Sequence, residues 1–174
     1  MSMGTMETSG VETNHPSINR LRALSLRALL FVYVYILVKI ILLKFHAVDL
    51  GFLWKRLSAG LHQPALISQR LEAGSLVPFR EISRSLQSFS EHDMYNLVGN
   101  VAIFMPFGVL LGLLFARKRL AGIKVLLCTS FLSLCLETSQ LLFMIGQFDV
   151  DDLLLNTMGG ILGFAIYRGI NRRN

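Results

Sequence analysis

Seven side chains able to bind, accept protons or ligate stand at helical spacing in or beside long apolar runs. They are Asn96 and Asn100, Glu137 and Gln140, and Asp149, Asp152 and Asn156. Steps of three or four residues put Asn96 with Asn100, Glu137 with Gln140, and Asp152 with Asn156 on shared helix faces. Ser130 and Ser133 extend the Glu137 face, and Gly159 and Gly163 extend the Asp152 face. Glu137 is the one acid in the middle of an apolar run, where an ionisable group is costly and needs a partner or a proton. Such carboxylates and amides could line a polar pocket, act as a general base, or offer oxygen ligands to a hard cation. For Asn100 and Ser133 the plainer reading is a hydrogen bond between helices. For Asp149 and Asp151 it is N-capping of the helix that follows.

No stronger catalytic pattern accompanies them. There is no nucleophile elbow, Walker loop or zinc-ligand spacing, and His15, His46, His62 and His92 all lie away from the constellation. No metal and no cofactor is therefore expected, and a binding role is expected over an enzyme. Cys128 and Cys135 share one apolar segment roughly 10 Å apart along a helix axis, too far to bridge, and read as small apolar fillers.

The elements that must position these groups are membrane spans. Of 174 residues 53% are hydrophobic and only 16% charged, against ~25% charged in an ordinary soluble domain. That is more apolar surface than one small core can cover, so lipid must cover part of it. Four spans are predicted, at about 24–45, 97–115, 123–145 and 153–170, each near the ~20 residues that crossing requires. Residues 1–23 read as a flexible polar tail, and 24–170 as one membrane domain. The first apolar run is long for a signal peptide and lacks a small-x-small cleavage site, so an uncleaved helix is expected, with Lys39 snorkelling near one end. The connecting segment 46–96 includes an interfacial helix around Trp54. Pro106 is tolerable inside a span, and Gly108 with Gly112, like Gly159, Gly160 and Gly163, allows close helix packing.

The excess of 17 basic over 11 acidic residues flanks the apolar runs rather than forming a nucleic-acid surface. Arg20, Arg22 and Arg27, then Arg117 to Arg119, then Arg168, Arg172 and Arg173 fall on one side of a four-span arrangement. The positive-inside rule makes that side cytoplasmic and puts both termini there. The seven polar residues then gather in the outer half of the membrane. The expected fold class is an all-α polytopic membrane bundle.

Three blocks resemble the VanZ-like family: Asn96-x-x-x-Asn100 running into Phe104-x-Pro106-Phe-Gly108, Glu137-x-x-Gln140, and Asp149-x-x-Asp152-x-x-x-Asn156-Thr-x-Gly159-Gly160. Leu76-Val-Pro78-Phe79 is similar to a short element of the same family, with Ser75 where Asn is usual. The Arg that many members carry before the aspartates is absent from Ile145-Gly146-Gln147-Phe148, and the chain ends at Asn174 without the further apolar segment of the founding member. The resemblance implies a multi-pass protein of the bacterial plasma membrane, with an influence on sensitivity to the lipoglycopeptide teicoplanin. The expected partners are the bilayer and a lipid-linked envelope precursor or a lipoglycopeptide. The alternatives are a membrane enzyme acting on an envelope lipid, and a structural subunit of a membrane complex.

Overall fold

The computed structural model describes residues 16–43, 49–88, 90–115 and 118–172. Seven helices follow in order: α1 Pro16–Leu43, α2 Leu50–His62, α3 Pro64–Ala73, α4 Arg80–Ser88, α5 Glu91–Phe115, α6 Ala121–Leu142 and α7 Val150–Asn171. Four of them contain stretches of 22 or 23 residues long and apolar enough to cross a membrane, within α1, α5, α6 and α7. At about 1.5 Å per residue such a stretch covers roughly 33 Å, a little more than a hydrocarbon core. The chain is an all-α membrane protein.

The helix limits differ from the sequence reading in physically simple ways. α1 starts at Pro16, where a fixed φ and a missing N–H suit the first helical position, so residues 16–23 are helix rather than tail. Residues 1–15 lie outside the described residues, as do Arg117 and Arg173 of the basic clusters. α6 ends at Leu142, three residues early, because the chain turns at Met144, whose φ is 52°. α7 begins at Val150, three residues early, because Asp149 caps it by accepting from the Asp151 N–H at 2.8 Å. Between the first two spans the segment folds into three short helices, where one interfacial helix was expected. Trp54 and Leu50 are exposed on α2, and Arg56 lies 5.1 Å from the centre of the Phe52 ring.

α5, α6 and α7 form the packed heart of the bundle, and α1 lies against its flank. Only 6% of the most apolar window of α1 is buried, against 33% in α7. Phe104, Phe107 and Leu111 of α5 meet Val125 and Leu136 of α6 and Phe164 of α7, with Leu37 of α1 closing the cluster. Lipid supplies no hydrophobic drive between helices, so close fit and polar bonds must hold them. The fit is closest between α5 and α7. A Cβ at Gly108 would overlap the Gly160 carbonyl oxygen, one at Gly159 the Val101 carbonyl, and one at Gly163 the Met105 carbonyl. On the neighbouring face of α7, a Cβ at Gly160 would reach Thr129 of α6 at 2.5 Å. Gly112 lies against the Tyr167 ring. α1 is tied on by the Tyr33 hydroxyl, which donates to the Ile103 carbonyl at 2.7 Å in the turn preceding Pro106, and by Gln140 Nε2, which donates to the Ile41 carbonyl at 2.9 Å.

Gly108→Ala is expected to destabilise the bundle by about 1–3 kcal/mol, the usual cost of overpacking. Gly169→Ala, where nothing lies within 4 Å of the added atom, is expected to leave stability unchanged or slightly raised. Thermal unfolding of the two purified variants in detergent checks the difference.

Candidate functional site

The two bonds just described place the end of α1 beside the middle of α5 and the end of α6. A cleft of about 620 Å³ opens there, and all seven polar residues singled out in the sequence line it: Asn96, Asn100, Glu137, Gln140, Asp149, Asp152 and Asn156. Ile40, Ile41 and Ile103 make its apolar side, and Arg70 and Tyr95 complete the polar one.

Each helix delivers its groups through the packing. The glycine contacts bring α7 so near α5 that Asn100 Nδ2 donates directly to Asp152 Oδ1. The polar face of α6 lies against α7: Ser130 and Thr157 share a hydrogen bond of 3.2 Å, and Asn156 Nδ2 donates to Ser133 Oγ at 2.9 Å. Glu137 is 1% exposed, and its Oε2 accepts from the Asp149 N–H at 3.3 Å. Asn156 is as deeply buried, yet among the described residues its Oδ1 has no hydrogen-bond partner. A buried amide oxygen left bare costs about 1–3 kcal/mol, so its position in a cleft lining is informative.

Two features were not legible in the sequence. Asp151 is not a second cap for α7. Its carboxylate, 1% exposed, accepts from the backbone N–H groups of Phe79, Glu81 (2.7 Å) and Ile82 (3.1 Å), and so holds the start of α4. Phe79 sits at φ 67°, a conformation a bulky residue adopts only when its surroundings hold it. Beside it Val150 N donates to the Ser75 carbonyl at 3.0 Å, Ser75 forms a parallel bridge with Asp149, and a Cβ at Gly74 would overlap the Phe148 carbonyl. Segment 74–82 thereby clasps the start of α7. Leu76-Val-Pro78-Phe79 carried a hint of this through its resemblance, without a partner.

The second is Arg70. It stands on α3, in a segment whose spacing pointed to nothing, and its Nη1 donates to the Gly146 carbonyl at 3.1 Å. A guanidinium therefore reaches the turn before the aspartates from a distant helix, although residues 145–148 contain no Arg.

Asp149 stands just outside the span. Burial, reinforced by the Asp151 and Glu81 carboxylates, pushes its carboxyl above the usual carboxylate range, while the backbone N–H groups of Asp151 and Asp152 pull it back. Among the described residues no group of three or more His, Cys, Asp or Glu side chains is arranged to hold a metal ion.

A helical membrane bundle with a polar cleft at the capped end of its last helix is the class this architecture defines. A profile of the VanZ/LLP1 family matches residues 30–171, and the chain belongs to that family. Protein VanZ of Enterococcus faecium is 34% identical over 94 residues, which is 53% of this chain and 57% of that protein. The chain thus spans a little over half the length of this relative. No solved structure matches.

Asp149→Asn keeps the cap, since an amide oxygen accepts equally well. A raised carboxyl costs the folded state most above its own pKa, and nothing once pH falls below the ordinary value of 3.8. The variant is therefore expected to unfold at a higher temperature than wild type at pH 7.5, with the gap closing on acidification. Melting curves at several pH values check it.

Proposed function

We propose that this cleft binds the polar head of a membrane-resident envelope amphiphile, a lipid-linked precursor or a lipoglycopeptide, and thereby influences sensitivity to teicoplanin-type antibiotics. The observation that carries the reading is the bare Oδ1 of Asn156, an acceptor buried in a lining already rich in acceptors. Glu137, Asp149 and Asp152 add carboxyl oxygens, so the complementary head is one that donates hydrogen bonds, through hydroxyl or ammonium groups. The isoleucine side of the cleft suits the apolar part of the same molecule. A volume of about 620 Å³ falls in the range of small-ligand sites.

Orientation supports the envelope. Arg20, Arg22, Lys118, Arg119, Arg168 and Arg172 all stand toward the end of the bundle remote from the cleft. Basic residues of that kind mark the cytoplasmic side, which turns the cleft to the exterior of a plasma membrane. Family membership and the name of the enterococcal relative bring the antibiotic class into the proposal.

Expression in a sensitive Gram-positive host is expected to raise the inhibitory concentration of teicoplanin. Asp152→Asn and Asn156→Ala, at membrane levels equal to wild type, are expected to return it to that of the empty vector. Full protection by both variants overturns the reading.

A further inference from the structure

The opposite end of the bundle carries a second cleft, of about 490 Å³, between the first turn of α6 and the last turns of α7. Lys118, Arg168, Asn171 and Arg172 are among its polar walls, and among the described residues no carboxylate lines it. Among the described residues none of the three cations is in an ion pair. Lys118 and Arg168 instead lie over apolar rings, Lys118 Nζ 5.8 Å from the centre of Phe115 and the Arg168 guanidinium 5.9 Å from that of Phe164. These ring contacts hold the two charged heads at the cleft without neutralising their charge.

The backbone adds to this field. α6 starts after Leu120, at φ 62°, with no side-chain cap. The N–H groups of its first turn lack intrahelical acceptors, and Ala121, Gly122 and Ile123 line the cleft. Three cations and the positive end of a helix thus border one concave space, which Phe164 and Tyr167 also line.

The surroundings say which anion. α6 and α7 both span, so their shared end lies where a bilayer places its headgroups. Leu120, Ile123, Ile166 and Ile170 are exposed nearby, a surface for acyl chains rather than for water. We propose that this cleft is a binding site for the phosphate-bearing headgroup of an anionic phospholipid, with its tails along α6 and α7. Basic clefts between spans are suited to such headgroups. This site is independent of the polar cleft and of any ligand it takes.

Native mass spectrometry of the full chain tests it, after purification from bilayers of equal phosphatidylglycerol and phosphatidylcholine. Wild type is expected to retain phosphatidylglycerol selectively. Arg168→Gln/Arg172→Gln is expected to lose that selectivity by roughly tenfold, and Arg168→Lys/Arg172→Lys to keep most of it. Arg20→Gln/Arg22→Gln removes equal charge from the same end, outside the cleft, and is expected to change nothing. Equal loss in that control would show diffuse attraction and overturn the proposal, as would equal retention of both lipids by wild type. Displacement of phosphatidylglycerol by excess inorganic phosphate would make free phosphate the ligand and overturn it too. Equal melting temperatures of all variants in phosphatidylcholine alone are expected, so that lost retention reports the site and not the fold.

Discussion

Two helices approach backbone to backbone where at least one of them carries no side chain at the contact, and α5 and α7 meet that condition at three points over about two turns of α5. Gly108, Gly159 and Gly163 each face a carbonyl of the partner helix. In lipid this seam substitutes dispersion and fit for the hydrophobic drive that bundles in water enjoy. It also fixes the chemistry: with the helices this close, Asn100 reaches Asp152 without an intervening water. A larger residue anywhere along the seam would widen the gap between those two groups as well as weaken the bundle. Packing and site are one constraint.

The remaining walls are added to that pair. α6 lays its serine and glutamate face on α7, which orients Asn156 through Ser133 and brings Glu137 to the Asp149 amide. α1 adds the isoleucine side, held by Tyr33 and Gln140. The segment between the first two spans contributes by gripping the start of α7, with the Asp151 carboxylate as its anchor on three amides. Asp149, Asp151 and Asp152 are neighbours in sequence with different jobs: Asp149 caps α7 and lines the cleft, Asp151 clasps a loop, and Asp152 accepts from Asn100 in the cleft.

Much of this was legible from the residues. Hydropathy gave four spans because a span is a local property of about 20 residues, and steps of three and four gave the polar faces because helix periodicity is local too. With the alternation of spans, that was enough to gather Asn96, Asn100, Glu137, Gln140, Asp149, Asp152 and Asn156 at one end, where they now line one cleft. What stayed hidden depends on distant pairing. Arg70 and Gly146 are 76 residues apart, and Asp151 and Phe79 are 72. Nothing in the charge or period of residues 64–82 says which amides need an acceptor or which turn needs a cation. The start of α7 is instead a local matter, since the helix begins where Asp149 caps it rather than where apolar residues resume.

The claim that the seam creates the site is tested most directly by a double-mutant cycle on Asn100 and Asp152. Unfolding free energies are measured for wild type, Asn100→Ala, Asp152→Ala and the double variant in one detergent. The account predicts a coupling of about 0.5–3 kcal/mol between the two positions, as for groups in direct contact. Strict additivity would mean that α5 and α7 do not hold these side chains together, and would contradict it.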